Sequence, residues 1–211
     1  MPVAGPQYPV NLVVEGRRCL VVGGGAVAAR KVAGLRSCGA EVHVVAPQVS
    51  AEVRGIEGVT WEERPYQPGE VAGYRLAVAA TDDPNANRAV YEDGEAAGVW
   101  VNSADDPQSC SFTLPSVVRR GPIMVAVSTG GHSPALATWM RGRLEAEVGP
   151  EYEVLLDLLA SEREAARAAG KSTESLDWQR ALDSDMLDLI RAGEITTARE
   201  RLQACLSSSS D

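Results

Sequence analysis

The sequence predicts an α/β fold in which a parallel sheet comes first and a helical region comes last. Short apolar runs rich in β-branched residues alternate with runs of helix formers over the first half of the chain. Two strand-like runs joined by a tight turn come next, and the remainder has helical periodicity. We therefore expect a sheet domain at residues 1–112, a small α+β domain at 113–148, a helical domain at 149–206 and a disordered tail at 207–211.

Each element of the sheet domain has its own signal. The strand-like runs, in order, are RRCLVVGGG, AEVHVVAP, GVTWEERPY, YRLAVAAT and VWVNSAD. Two runs of helix formers stand among them, AVAARKVAGLRSCG, which ends at Gly39, and ANRAVYEDGEAAG. Because strands alternating with helices form right-handed βαβ units, we expect a parallel sheet.

The second half of the chain has a different pattern. CSFTLPSVVRRGPIMVAVSTGG holds two strand-like runs joined by RRGP, which is typical of a hairpin. An apolar stripe with helical spacing follows, formed by Tyr152, Leu155, Leu156 and Leu159. Further short helices are expected on either side of Gly193.

Composition argues against several classes of protein. Hydrophobic residues make up 45% of the chain, which is enough for a core, whereas a net charge of −9 disfavours a nucleic-acid partner. No apolar run is long enough to span a bilayer, and the N-terminus does not resemble a secretory signal. The four cysteines are widely spaced without a C-x-x-C pair, so we expect neither a disulfide framework nor a metal site. These features favour a cytoplasmic protein without a membrane partner.

The first functional motif is a glycine turn between a strand and a helix. Gly23, Gly25 and Ala28 fit G-x-G-x-x-A, which indicates a Rossmann-like nucleotide site. Gly23 permits the tight turn, Gly25 lets a pyrophosphate approach the backbone, and Ala28 allows close packing of helix on strand. The N–H groups near Ala26 and Val27 stand where they would hold the phosphate. A purely structural turn is the alternative.

One part of a typical NAD site is missing. An acid is expected about twenty residues later, at the end of the second strand, to bind the ribose. That place reads Ala46, Pro47 and Gln48, with no arginine for a 2′-phosphate either. The residues therefore leave NAD and NADP open, with the backbone near Pro47 and Gln48 as a candidate ribose contact.

Two polar stretches follow the fourth and fifth strands. In VNSADDPQSCSF, Asp105 and Asp106 are adjacent, so in an extended chain at most one faces a cleft. The alternative is a turn begun by Asp-Pro. ATDDPN, which begins near Thr81, resembles it, and a solvated loop is favoured there over a direct catalytic role.

A third stretch, STGGHSPALA, combines a glycine loop with a helix start. Ser133 is placed to cap the helix and Pro134 to occupy its first position, an arrangement that suits an anionic ligand. An ordinary capped helix is equally favoured. His132 is expected to be an exposed spectator, and His43, inside a strand, to be structural.

Taken together, these blocks resemble the siroheme synthase family. They occur in the order NLVVEGRRCLVVGGGAVAARKVAGL, EVHVVAP, AVAATDDPNANRAV and VNSADDPQSCSFTLPSVVRRGPIMVAVSTGGHSPALA. The resemblance covers about residues 9–145 strongly and the helical tail loosely. It implies an NAD-binding Rossmann domain, a dimerisation domain at 113–148 and an intertwined homodimer. The implied reaction is oxidation of precorrin-2 to sirohydrochlorin with NAD⁺, and some members also insert Fe²⁺ to give siroheme.

The resemblance also implies roles for individual residues. It makes Asp105 the base for both reactions, and it maps the NAD contacts onto Ala26, Val27, Pro47 and Gln48, with Thr81 near the nicotinamide. Because the substrate carries many carboxylates, local cations and anion-binding loops are required. The candidates for that role are Ser128, Gly130, Gly131, Ser133, Arg119 and Arg120, with Arg141 and Arg143 nearby.

The sequence is also compatible with other roles for these residues and other functions for the chain. Each arginine has a solvated surface position as its alternative, and Arg30 and Lys31 are expected to cover the exposed face of the first helix. The chain ends too early for the methyltransferase module of larger family members, so we expect precorrin-2 to come from a separate enzyme. A dehydrogenase without chelatase activity, an NAD-sensing regulatory module and a different oxidoreductase are the competing functions.

Overall fold

The computed structural model describes residues 5–207, apart from the side chain of residue 175. These residues form two compact units. The first unit holds the chain up to Leu114 together with Ser128–Pro134, and the second holds Pro115–Val127 together with the chain from Ala135 onward.

The first unit is built on a five-stranded parallel sheet, as the alternation of strands and helices predicts. Its strands are β1 Arg18–Val22, β2 Glu41–Ala46, β3 Val59–Glu63, β4 Leu76–Ala79 and β5 Trp100–Ser103. They lie in the order β3-β2-β1-β4-β5, and every neighbouring pair is parallel. The predicted α/β fold class is therefore confirmed.

Helices cover both faces of this sheet. They are α1 Ala26–Arg36, α2 Ala51–Arg54 and α3 Pro84–Ala97, with a 3-10 turn at Pro107–Ser109. Alternate residues of β1 enter two apolar clusters: Val21 packs with Val32 of α1, and Leu20 packs with Val90 of α3. This alternation buries the central strand from both sides, which explains its continuous apolar sequence. The four-residue helix α2 was not predicted.

The second unit contains a β-hairpin and most of the helical chain. Strand β6 (Ser116–Arg120) pairs antiparallel with β7 (Ile123–Val127), as RRGP predicts. The helices are α4 Pro134–Glu147, α5 Glu151–Ala168, α6 Trp178–Leu182, α7 Met186–Arg191 and α8 Ile195–Ser207, with a 3-10 turn at Thr173–Ser175.

A separate apolar core holds the later helices together. Its buried members include Leu155, Leu158, Met186, Ile190 and Leu202. The buried residues of α5 are Leu155 and Leu158. Leu158 is therefore a core residue, although the stripe expected from the sequence does not include it.

The last described element is α8, which ends at Ser207. Ser207 is the last residue of α8 rather than part of a disordered tail, and 208–211 lie outside the described residues. Within residues 5–207, no helix combines the length and the apolarity that crossing a membrane requires.

Candidate dinucleotide site

The chain order creates a crevice at the carboxyl edge of the sheet. From β1 the chain builds β2 and β3 on one side, then returns across β1 to add β4 and β5 on the other. The connections therefore leave β1 and β4 in opposite directions, and this switch point is where open α/β sheets bind ligands.

Backbone hydrogen bonds hold the loops at this edge together. The Gly23 N–H donates to the Val45 carbonyl at 2.9 Å, and the Ser50 N–H donates to the Gly24 carbonyl at 2.9 Å. On the other side of β1, the Ala80 N–H donates to the Val22 carbonyl at 2.8 Å. The loops that follow β1, β2 and β4 are thus fixed against one another.

Two glycines of the turn are required by packing. Gly23 has φ +127°, which L side chains rarely adopt, and a Cβ there would overlap the Ala80 carbonyl, whose carbon would lie 2.7 Å away. A Cβ at Gly24 would overlap the Gln48 carbonyl oxygen and lie 2.9 Å from its carbon. The motif G-x-G-x-x-A allows any residue at position 24, so the requirement for glycine there is not visible in the motif.

Gly25 has a different reason to lack a side chain. Its φ of −88° is ordinary extended backbone, and nothing lies within 4 Å of the position a Cβ would take. Neither its own conformation nor a protein neighbour excludes a larger residue. The space in front of Gly25 is a cradle that a Cβ would fill, and this fits the close approach of a pyrophosphate.

The start of α1 presents unpaired backbone donors to that space. No side chain caps the helix, and the Ala29 N–H makes the bond to the Gly25 carbonyl, at 2.9 Å. The preceding N–H groups, of Ala26, Val27 and Ala28, have no acceptor in the helix. An uncapped helix start with a positive dipole end is an anion site, and it fits the phosphates of a dinucleotide.

Thr81 follows β4, and its hydroxyl is occupied in shaping the loop. The Thr81 hydroxyl donates to Asn87 Oδ1 at 2.8 Å and accepts the Asp83 N–H at 3.1 Å. The buried Asn87 amide also donates to the Thr81 carbonyl at 2.9 Å. These bonds fix the start of α3, so Thr81 sets the shape of the crevice beside β4.

An acid stands near the expected ribose position, although it comes from another strand. Glu63, at the end of β3, is the register partner of Ala46. Its carboxylate accepts the Val49 N–H at 3.1 Å and pairs with Arg54 at 2.6 Å. These two contacts hold the pKa of Glu63 below its usual value. A search along the chain from the glycines misses this acid because the neighbouring strand supplies it, while Pro47 and Gln48 themselves are exposed.

The two aspartates after β5 have different environments. Asp106 accepts the Ser109 hydroxyl at 2.6 Å and the Gln108 N–H at 3.0 Å, and these bonds hold the pKa of its carboxyl below the usual value. It therefore caps the 3-10 turn, which is the Asp-Pro alternative. Asp105 is exposed. The Ala104 N–H donates to the Ala79 carbonyl at 2.8 Å, which places this loop beside the end of β4.

Lys31 of α1 differs from its expected place on an exposed helix face. The side chain is half-buried, and burial together with Arg30 lowers the pKa of its ammonium. Cys110 and Asp105 act on it in the opposite direction, so the ammonium lies within electrostatic range of both. The only signal from its position was that it lies six residues after Gly25, which is too weak to distinguish it from a surface lysine.

The remaining predicted substrate residues are divided between the two units. The loop of Ser128–Pro134 belongs to the first unit, with Gly130 at φ +59° and Gly131 at φ +79°. The hydroxyl of Thr129 accepts the Ser133 N–H at 3.2 Å, which closes the loop on itself. His132 is exposed.

The predicted arginines belong to the second unit and make contacts there. Arg120 donates to the Glu145 carbonyl at 3.2 Å, and Arg141 pairs with the Glu145 carboxylate at 2.5 Å. Arg143 lies over the Trp139 ring, 5.3 Å from its centroid. Arg119 is exposed on β6. The Arg120 bond ties the hairpin to α4, while the contacts of Arg141 and Arg143 lie within α4.

A parallel sheet with a glycine turn and an uncapped helix start at its switch point defines the Rossmann class of dinucleotide-binding proteins. In accord with this class, the family model described as "Putative NAD(P)-binding" matches residues 10–116, and the chain belongs to that family. A second model, "Sirohaem biosynthesis protein central", matches residues 120–147. Among residues 5–207, no group of three or more His, Cys, Asp or Glu side chains forms a metal site.

Similar individual proteins agree with these two family matches. The chain is 41% identical to a siroheme synthase of Nitrosococcus oceani over 95% of its own length and 44% of that protein. It is 37% identical to a siroheme synthase of Nitrosomonas eutropha over 97% of its length and 44% of that protein. The chain thus spans less than half of these curated relatives. It also matches the solved structure of SirC, a precorrin-2 dehydrogenase, with a TM-score of 0.76 and 28% identity, over 94% of this chain and 98% of that one.

Proposed function

We propose that this chain oxidises precorrin-2 to sirohydrochlorin with NAD⁺ as hydride acceptor. The observation that carries the proposal is one juxtaposition. The glycine turn and Asp105 lie at the same carboxyl edge of one sheet, in a chain that matches a precorrin-2 dehydrogenase over nearly the whole of both lengths. A sensor of NAD needs only the first of these features. The second supplies a base for chemistry.

The proposal assigns specific residues to binding of the dinucleotide. The N–H groups of Ala26 and Val27 would donate to the pyrophosphate in the space beside Gly25, and Pro47 and Gln48 would border the adenosine ribose. When bound, the nicotinamide supplies the hydride-accepting chemistry. Thr81 shapes the nicotinamide side of the crevice through its bonds to Asn87.

Asp105 takes the proton in this proposal. Oxidation of precorrin-2 to sirohydrochlorin removes two hydrogens, one as hydride to NAD⁺ and one as a proton that needs an acceptor. Asp105 is exposed, while the adjacent Asp106 is committed to its turn, so Asp105 is the carboxylate of this pair that can reach a substrate.

The substrate carboxylates are assigned to the glycine loop and the hairpin. Ser128, Gly130, Gly131 and Ser133 form a loop of small residues whose backbone an anion can approach closely. Arg119 and Arg120 are the candidate cations on β6, with Arg120 already donating to the Glu145 carbonyl.

The test compares Asp105→Asn with Asp82→Asn in an anaerobic assay with precorrin-2 and NAD⁺. Both residues are exposed acids that follow strands of the same sheet, so the two variants lose the same charge at the same edge. We expect kcat to fall by about 10²-fold or more in Asp105→Asn, as for other general bases, while Asp82→Asn stays near the wild type. Full activity of Asp105→Asn would remove Asp105 as the base.

Metal insertion is tested separately with the product. Fe²⁺ or Co²⁺ is added to isolated sirohydrochlorin with and without the protein, and insertion is followed by the change in absorption spectrum. Insertion above the rate without protein, lost in Asp105→Asn, assigns the second activity to the same carboxylate. NADH formation without insertion makes the chain a dehydrogenase alone.

We further propose that the second unit forms a homodimer contact. Strands β6 and β7 make a two-stranded sheet, an arrangement that is only marginally stable without further packing. Helix α4 buries only Ala137 among the described residues of this chain, and it exposes Leu136 at 47%, Trp139 at 60% and Met140 at 39%. Large apolar side chains grouped on one surface are typical of a protein interface.

Light scattering coupled to gel filtration tests the dimer. Trp139→Glu is expected to give a monomer, because it places a charge in the centre of the proposed contact. The control is Leu182→Glu, which replaces an exposed apolar residue of α6 with the same acid. It is expected to leave the molar mass of the dimer unchanged. A dimeric Trp139→Glu variant would rule out α4 as the contact.

A further inference from the structure

A cavity of about 380 Å³, open to solvent, lies at the opposite edge of the first unit's sheet from the glycine turn. It is lined by Gly16, Arg17, Arg18, Gly73, Tyr74 and Arg75. Arg18 is the first residue of β1, and Arg75 directly precedes β4. The cavity therefore stands at the amino ends of the same two strands whose carboxyl ends border the proposed cofactor site, and no step of the proposed reaction uses it.

The charge of this cavity is unusual for the chain. The protein carries a net charge of −9, yet three arginines line one small cavity. Some other arginines are paired with carboxylates at short range, as in Arg54 with Glu63 at 2.6 Å. Among residues 5–207, none of the three cavity arginines takes part in a salt bridge. Like charges around one space repel one another, and a bound anion would offset that repulsion.

Two contacts fix part of the cavity wall. The Arg18 guanidinium lies over the Tyr74 ring, 4.5 Å from its centroid. The Tyr74 ring also stacks with the His43 ring, at a centroid distance of 6.5 Å. The Arg75 N–H donates to the Arg18 carbonyl at 2.7 Å, which joins the two segments that carry the cations. Arg18 is thus held in place before any ligand arrives, and less side-chain entropy is lost on binding.

Two acids of neighbouring segments, Glu41 and Glu15, form no salt bridge with this cluster. Glu41 is the register partner of Arg18, and its N–H donates to the Arg17 carbonyl at 2.9 Å, but its carboxylate forms no ion pair with the cavity arginines. Glu15 precedes Gly16, and a Cβ at Gly39 would lie 3.0 Å from its Cγ, so that side chain lies against the Gly39 turn. The positive charge therefore remains available to an outside anion.

We propose that this cavity binds a compact polyanion, a small molecule that bears two or more phosphate or carboxylate groups. Guanidinium groups match both oxyanions with paired hydrogen bonds, and three of them around one space favour a ligand with more than one such group. The volume is at the lower end of ordinary ligand pockets, so it suits a compact molecule and is too small to enclose a tetrapyrrole.

Titration calorimetry with the full chain tests the proposal, with tripolyphosphate and citrate as probes. These two distinguish a phosphate ligand from a carboxylate ligand. We expect one binding event per chain for at least one probe, and weaker binding as the salt concentration rises. In the double variant Arg17→Gln, Arg75→Gln the affinity is expected to fall at least tenfold, while Arg18 and its contact with Tyr74 are kept.

The control is the double variant Arg163→Gln, Arg167→Gln, which removes the same charge from exposed positions of α5. Its affinity is expected to stay within about twofold of the wild type, because distant surface charges are largely screened. The proposal is overturned if neither probe binds at millimolar concentration or if the two double variants lose affinity equally. It is also overturned if binding survives in the cavity variant, since the probe then lies elsewhere, for example at the glycine turn.

Discussion

Neighbouring glycines of the turn should respond in opposite ways to the same substitution. A methyl group at Gly24 would overlap the Gln48 carbonyl oxygen and lie 3.0 Å from the Val49 Cα, and both neighbours are backbone. Gly24→Ala should therefore destabilise the first unit by about 1–3 kcal/mol, as overpacked positions do. For a chain of this size each kcal/mol corresponds to about 2–4 °C in Tm, so the expected loss is roughly 2–12 °C.

Gly25→Ala should leave the fold intact and remove the cofactor. Gly25 has φ −88° and nothing within 4 Å of a Cβ, so alanine adds no strain and should change the stability of the free protein by no more than about 1 kcal/mol. The same methyl group fills the space that the pyrophosphate needs. The structure thus predicts a stable protein that no longer binds NADH.

Thermal unfolding with and without NADH measures both effects. At a ligand concentration of 100 times Kd, binding stabilises the wild type by about 2.7 kcal/mol, which corresponds to roughly 5–11 °C. We expect this shift to vanish in Gly25→Ala and to persist in Gly24→Ala on a lower baseline. A Gly25→Ala protein that keeps the full NADH shift would refute the assignment of the phosphate to this cradle.

Three further predictions concern the first unit. Asp106→Ala should cost about 1 kcal/mol, as the loss of a helix cap does. Because bonds to Ser109 and Gln108 lower the pKa of Asp106, its contribution should be present above the ordinary carboxyl pKa and be lost as the pH falls through the lowered value. Tyr66→Phe should cost about 1 kcal/mol, since the Tyr66 hydroxyl donates to Asp93 at 2.7 Å. Burial raises the pKa of Cys19 to about 11, so this thiol should resist alkylation at pH 8 in the native protein.

Each of these has a direct check. Urea unfolding at several pH values measures the Asp106→Ala loss, and a loss that stays constant into strong acid would contradict the capping account. Tyr66→Phe is compared with Tyr8→Phe, an 88% exposed tyrosine, and equal stabilities would show that the Asp93 bond contributes nothing. Peptide mass mapping after alkylation locates the labelled thiols, and fast labelling of Cys19 in folded protein would show that the strand opens readily.

Local patterns in the sequence were sufficient to predict the parallel sheet and its glycine turn. In β1, the run of buried Leu20, Val21 and Val22 is apolar on both faces, which only a central strand needs, and the glycines follow it directly. The hairpin was predictable from its turn residues. These signals depend on neighbours along the chain, so a single sequence contains them.

The parts that escaped prediction depend on residues distant in the chain. Glu63 becomes a neighbour of Ala46 only through the pairing of β2 with β3, and Gly24 is required only because the Gln48 carbonyl packs on it. The half-buried position of Lys31 depends on the loop that carries Asp105 and Cys110, about 75 residues later. The cavity arginines likewise come from two separate segments, so neither segment by itself marks a site.

The central claim is that this chain couples oxidation of precorrin-2 to reduction of NAD⁺. The most direct measurement is an anaerobic reaction of the purified protein with both compounds, in which NADH and sirohydrochlorin are quantified together. The account predicts that they form in equal amounts, at a rate proportional to protein concentration. A folded protein that shows the NADH-dependent thermal shift but forms no NADH above the protein-free reaction would contradict it, and would favour a sensor of NAD instead.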